Sequence, residues 1–178
     1  MTEFATLYGN SLYALAEQEG IEKRIYEDVV LVDSLLESQP DYLRLLDAPM
    51  VDLKEKCTLL DSAFGAHLHP YTCNFLKILA GKKQVHAFAS VRRVYVNKYN
   101  EVHNIEEAVA ITAVPLSARL HEKLTEKLSK MTGKTVVLEN KVEPEILGGL
   151  TIRMSNRQVD ASVRTRLATL EKQLSERW

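Results

Sequence analysis

Ile105–Ser117, IEEAVAITAVPLS, is the stretch on which the fold turns. Within it Ala108–Val114 is a short apolar run rich in β-branched residues, which reads as a buried strand. Pro115 breaks the run, and Ser117 is a good residue to cap a following helix. Before this point the chain has the periodicity of helices; after it, helix and strand patterns alternate.

On the N-terminal side, Phe4, Leu7, Tyr8, Leu12 and Leu15 share one helical face, and Gly20 ends that helix. Ile21, Ile25, Val29, Val32 and Leu36 mark a second helix. Pro40 opens a short third helix carrying Tyr42, Leu43 and Leu46, and Pro49 closes it. Asp52 with Glu55 resembles a capping box at the head of a fourth helix, lined by Leu53, Cys57, Leu60 and Phe64 and ended by Gly65. Pro70 starts a fifth helix with Tyr71, Phe75, Ile78 and Leu79 inward, and Gly81 ends it. Val85, Phe88, Val91, Tyr95, Tyr99 and Val102 predict a longer sixth helix that runs almost straight into the strand. Helices with one apolar stripe each and short connections predict a bundle.

On the C-terminal side, Leu120, Leu124, Leu128 and Met131 form a helical stripe stopped by Gly133. Thr135–Val142 has strand composition. Leu150, Ile152 and Met154 alternate with Thr151, Arg153 and Ser155, the signature of a strand with one buried face. Ser155-Asn156 predicts a turn, Gln158-Val159 a brief returning strand, and Asp160 the cap of a last helix with Val163, Leu167, Leu170 and Leu174 inward. The expected fold class is α+β overall: an N-terminal all-α bundle of about six helices over residues 1–105, then a small α/β domain over 106–178 with a mixed, short-stranded sheet and two helices.

Composition narrows the function. The net charge is −1, from 23 basic and 24 acidic residues, so there is no concentrated basic field to hold a polyanion. Cys57 and Cys73 are far apart and outside any CxxC or Cys/His cluster, and read as small buried apolar residues in a reducing compartment. The N-terminus lacks the pattern of a secretory signal or an Arg-rich transit peptide, and no apolar run approaches the ~20 residues of a membrane helix. The expected location is therefore cytosolic, with any membrane attachment made through a partner.

The search for chemistry finds no phosphate-binding glycine loop and no GxSxG elbow. Gly148-Gly149 opens a strand rather than a helix, so it reads as a backbone bend rather than an anion site. His67 and His69 alternate in a loop with no acidic or Cys ligand near them in sequence; His121 reads as solvated. HEKLTEKLSK is a solvated Glu/Lys face. Arg92, Arg93 and Lys98 interleave with Tyr95 and Tyr99, a combination that can bind single-stranded nucleic acid, although the helical spacing of the tyrosines fits a core better. No catalytic, cofactor-binding or metal-ligating set emerges, so the chain reads as a protein that binds other proteins.

Three stretches give that reading a family. Tyr8-Gly9-Asn10-Ser11-Leu12-Tyr13 resembles the YAxAL(F/Y) opening helix of the delta subunit of bacterial F-type ATP synthases, the family of the mitochondrial oligomycin-sensitivity-conferring protein. Ile111–Ser117 is similar to that family's VTSAxPLS junction. Most specific is Pro144, then Ile146–Arg153 (ILGGLTIR), then Val159–Arg164 (VDASVR) with Arg166 and Leu167; the run matches the family pattern without gaps between Arg153 and Asp160. Asn74-Phe75-Leu76 matches an NFL on the fifth helix. Gly9 and Ser11 depart from the usual Ala.

The resemblance implies a non-catalytic peripheral-stalk, or stator, subunit, present once per complex, on the cytoplasmic face of the bacterial cell membrane. Such a subunit joins the catalytic head to the b-type stalk while protons drive ATP synthesis. It implies that the N-terminal segment of an alpha subunit lies in a groove between the first and fifth helices, and that the C-terminal domain engages the stalk. Tyr8, Gly9, Leu12, Tyr13, Asn74, Lys77 and Ile78 are the candidate groove residues; the competing reading makes them bundle core. Pro144, Gly148, Gly149, Arg153, Asp160, Ser162, Arg164 and Arg166 form the family motif, read as mainly structural. The alternative function is a helical RNA-binding or general protein-interaction adaptor.

Overall fold

The computed structural model describes residues 3–143, 148–154 and 158–160. The chain divides into two compact units, Met1–Tyr99 and Asn100–Trp178.

The first unit is a helical bundle. Its elements are α1 (Glu3–Glu19), α2 (Glu22–Ser38), α3 (Pro40–Asp47), α4 (Leu53–Phe64), α5 (Pro70–Gly81) and most of α6 (Phe88–Val102), with a 3₁₀ turn at Val85–Ala87 before α6. That turn separates Val85 from the helix into which periodicity had placed it. The α2 stripe is as expected: Ile25, Val29, Val32 and Leu36 are all buried. So are Phe88, Val91, Tyr95 and Tyr99 of α6.

Buried charge pins the helices together. The Asp28 carboxylate accepts from the backbone N–H of His69 (2.7 Å) and the Thr72 hydroxyl (2.8 Å), and pairs with Arg24 one turn earlier (3.3 Å). One α2 side chain thereby fixes the start of α5, and a charged acceptor with several donors is among the stronger polar contacts in a fold. Asp33 pairs with Arg92 of α6 at 2.9 Å. Asp47, the last residue of α3, accepts from the backbone N–H groups of Val85 (2.8 Å) and His86 (3.1 Å).

Several local expectations change. On α1 the buried residues are Ala5, Gly9, Leu12, Tyr13 and Ala16, while Leu7 and Leu15 point outward. The reason is proximity: a Cβ built on Gly9 would stand 2.7 Å from the Val94 Cβ and 3.0 Å from the Val91 carbonyl oxygen. Helix α1 makes its closest approach to α6 at Gly9. On α4, Leu53 is half exposed and Lys56 is buried in its place. Asp52 sits at the N-cap but its side chain makes no cap hydrogen bond, so the capping box does not form; nor does Ser117 cap α7 through its side chain. The α5 cap is His69, whose Nδ1 accepts from the Tyr71 N–H, which assigns that ring a structural task.

The second unit holds β1 (Ile105–Thr112), α7 (Ala118–Thr132), β2 (Thr135–Val142), β3 (Leu150–Met154) and β4 (Gln158–Asp160). The sheet order is β2-β1-β3-β4, with β1 and β2 parallel and the other pairs antiparallel. Parallel β1 and β2 require a crossover, and α7 supplies it. Its face carries Leu124 and Leu128 onto Ala108, Ala110, Val136, Leu138 and Ile152. Leu120 and Met131 lie outside that core. His121 is not solvated as expected; its Nε2 lies 3.0 Å from the Leu138 carbonyl oxygen. Asn140 fixes the exit of β1: its amide nitrogen donates to the Ala110 carbonyl and the Thr112 hydroxyl, and its oxygen accepts from the Leu116 N–H. β1 ends at Thr112, two residues short of the apolar run, leaving Val114 exposed. The Ser155-Asn156 turn and the last helix lie outside the described residues.

Helix propensity alone would make Gly9→Ala stabilising by up to ~1 kcal/mol. The contact with Val94 reverses the sign: Gly9→Ala is expected to lower the unfolding free energy by about 1–3 kcal/mol, since an extra methyl in a filled interface forces its neighbours apart. Urea denaturation of the two proteins measures it.

Candidate partner-binding surface

Helices α1 and α5 meet at an aromatic contact. The Tyr8 ring stacks on Phe4 one turn earlier (centroids 4.2 Å) and meets Phe75 of α5 at 6.3 Å. Tyr8 is half-buried and Phe75 buried, so the two helices share an aromatic seam. Beside it the outward face of α1 carries Leu7, which keeps 66% of its surface in solvent, and Leu15 at 38%. Ser11, between them, donates its hydroxyl to the Leu7 carbonyl at 2.8 Å, so it places little unsatisfied polarity on this face. On α5, Asn74 and Ile78 are exposed one turn apart, Ile78 at 50%. Apolar side chains at helical spacing on two neighbouring helices make a surface suited to an amphipathic helix.

Of the seven residues read as groove candidates, Tyr8, Asn74 and Ile78 reach this surface. Lys77 turns toward α4, where it pairs with Asp61 at 2.6 Å; that hydrogen bond pushes its ammonium above the usual lysine range. Gly9, Leu12 and Tyr13 are corrected: all three are buried inside the bundle. Gly9 is small because α6 approaches it, not to admit a partner helix. Tyr13 packs edge-on against Tyr95 at 5.5 Å, and its hydroxyl has no hydrogen-bond partner. Burial, reinforced by Glu17 and Glu22, raises its pKa. In their place stand Leu7 and Leu15, which apolar counting assigns to the core. The available clue is the small-residue row Ala5, Gly9 and Ala16, which marks the face that sits against other helices.

The family motif lies on the sheet unit. Gly148 (φ 154°) and Gly149 (φ 86°) both adopt backbone angles that other residues rarely take, immediately before β3. Arg153 is exposed on β3, and Asp160 accepts from the Thr151 hydroxyl at 3.2 Å. Pro144, Ser162, Arg164 and Arg166 lie outside the described residues.

The basic and aromatic residues of α6 do not form a stacking platform. Tyr95 and Tyr99 are buried, Tyr95 donates its hydroxyl to the Glu22 carbonyl at 2.9 Å, and Arg92 is held by Asp33. Among the described residues no group of His, Cys, Asp and Glu is placed to hold a metal ion.

Residues 4–174 match the family model described as ATP synthase delta (OSCP) subunit. The ATP synthase subunit delta of Alkaliphilus oremlandii is 31% identical over 169 residues, covering 95% of this chain and 94% of that one. That of Clostridioides difficile is 32% identical over 173 residues, covering 97% and 96%. The fold is shared with a chain from the structure of the Toxoplasma gondii mitochondrial ATP synthase hexamer, with a TM-score of 0.76 at 22% identity over 97% of this chain.

Because the Tyr13 hydroxyl is buried without a partner, Tyr13→Phe is expected to leave stability unchanged or raise it by about 1 kcal/mol, since it removes an unpaid desolvation. Thermal unfolding of the variant measures this; a loss of 2 kcal/mol or more would show that the hydroxyl is held.

Proposed function

This chain belongs to the ATP synthase delta (OSCP) subunit family, and on that premise we propose that its helical unit holds the catalytic head by laying the N-terminal segment of an alpha subunit along α1 and α5. As a delta subunit it is a non-catalytic stator component of an F-type ATP synthase, part of the peripheral stalk that links the alpha/beta head to the b-type subunits. The observation that carries the proposal is the exposure of Leu7 and Leu15 on α1 and of Ile78 on α5, two helices that meet at Tyr8 and Phe75. An amphipathic helix can cover such side chains, and burying each gives ~1.5–3 kcal/mol before the costs of association.

On the same reading the C-terminal domain, residues 106–178, engages the b-type stalk, and one copy serves each complex. No described helix is long and apolar enough to cross a membrane. Its membrane association in this proposal is peripheral, at the cytoplasmic face of the bacterial cell membrane, through the complex it joins. The buried tyrosines of α6 and the balanced charge weigh against the RNA-binding alternative.

Leu7→Asp and Ile78→Asp place a charge on the proposed surface without entering the core. Each is expected to weaken binding of an alpha N-terminal peptide at least ten-fold, about 1.4 kcal/mol, with little change in thermal unfolding. Isothermal titration of the peptide against each variant measures it. Undiminished affinity in both would remove this surface from consideration.

A further inference from the structure

Among the described residues the sheet has one long edge. In the order β2-β1-β3-β4 the end strands are β2, with 8 residues, and β4, with 3. A short edge strand offers little to pair with, whereas a long one is a template for another strand. The hydrogen bonds to β1 fix which groups of β2 are left over. The Thr135 N–H donates to the Asn104 carbonyl and the Glu143 N–H to the Thr112 carbonyl, both at 2.9 Å, and the parallel register between them is unbroken. The odd-numbered residues of β2 therefore turn their N–H and C=O groups to β1, while Val136, Leu138, Asn140 and Val142 turn theirs outward.

Two side chains of α7 reach over to that outer edge. The Ser129 hydroxyl oxygen accepts from the Val136 N–H at 3.3 Å, and His121 Nε2 lies 3.0 Å from the Leu138 carbonyl oxygen. A carbonyl can only accept, so Nε2 carries the proton and donates it. Both contacts end on outward groups, outside the ladder that holds β2 to β1.

The charges on β2 indicate what the uncovered edge would take. Two copies of β2 running antiparallel and crossing at Asn140 set Glu139 of each opposite Lys141 of the other, on the side of the strand where both are exposed. Within one chain Lys141 pairs with Glu143 at 3.0 Å, an exposed contact of the weak kind that a second copy can replace. The same register requires the Leu138 carbonyl of each copy to accept from the Val142 N–H of the other. His121 stands at that carbonyl.

We propose that His121 is an edge guard: by occupying the outward carbonyl of Leu138 it keeps two copies of this chain from joining their sheets through β2, and Ser129 closes the next outward group. The device lies wholly within the sheet unit and uses none of the residues proposed above for the alpha segment.

Sedimentation velocity of the purified full chain reads it directly. The parent is expected to remain a monomer. His121→Ala is expected to self-associate at least about ten-fold more tightly, by opening the edge to cross-strand pairing, and His121→Ala/Ser129→Ala more tightly still. His121→Ser, which also lacks the reach, is expected to match His121→Ala. Two second-site changes separate edge pairing from association through loss of structure. Val142→Pro removes an outward N–H that β1 does not use, and Glu139→Lys sets lysine against Lys141 of the other copy. Either one, added to His121→Ala, is expected to return the protein to monomer. Variants at His121 that keep the parent's circular dichroism and sediment as the parent does overturn the proposal. So does association that neither Val142→Pro nor Glu139→Lys diminishes.

Discussion

Helix α1 lies so close to α6 that no side-chain carbon fits at Gly9. Much of the helical unit's surface follows from that approach. With Gly9 facing Val94, small residues at Ala5, Gly9 and Ala16 share the inward side of α1 with Leu12 and Tyr13. Leu7 and Leu15 are turned outward as a result, and Tyr8 is left at the boundary, where it meets Phe75. Tight packing within the bundle and the exposure of Leu7 and Leu15 are two consequences of one rotation of α1. A bulkier residue at position 9 would disturb both, because protein interiors are dense enough to transmit a displaced methyl to their neighbours.

The buried charges work differently. Asp28 collects a backbone amide, a hydroxyl and an arginine from three places in the chain, so α2, the α4–α5 connection and α5 are set against each other by one carboxylate. Asp33 does the same for α2 and α6, where burial raises its pKa against the opposing pull of Arg92. These are pairs that would be destabilising to break from one side.

The order of the helices among the described residues was legible in the sequence, because Pro40, Pro70 and the glycines at positions 20, 81 and 133 punctuate stripes of helical period. The orientation of α1 was not. Apolar periodicity identifies an apolar face, but α1 carries two: a buried one of Ala5, Gly9, Leu12, Tyr13 and Ala16, and an exposed one with Leu7 and Leu15. Counting large residues merges the buried Leu12 with the outward Leu7 and Leu15. On α4 the same bias favoured Leu53 over Lys56, whose long apolar stem can be buried as readily as a leucine. The β1 strand begins three residues before its apolar run. Glu106 and Glu107 belong to it because Lys134 and Asn100 satisfy them, at 2.8 Å each, and those partners are distant in sequence or outside the strand. Of the candidate surface, the α5 residues Asn74 and Ile78 could be read directly. The α1 half required knowing which helix lies behind Gly9.

The seam between α1 and α5 also bears on how well such a surface can bind. Association loses affinity to every side chain that must be ordered at the interface. Here Tyr8 is stacked between Phe4 and Phe75, and Phe75 is buried, so the floor of the surface is fixed before a partner arrives. Only Leu7, Leu15 and Ile78 stand free to adjust, and leucine and isoleucine give up little rotamer freedom, ~0.5–1 kcal/mol each. A stator contact is loaded continually by torque, so a rigid floor with a few short apolar anchors resists sliding better than long polar side chains would. The close approach of α1 to α6 at Gly9, the residue after Tyr8, anchors the helix that carries that ring.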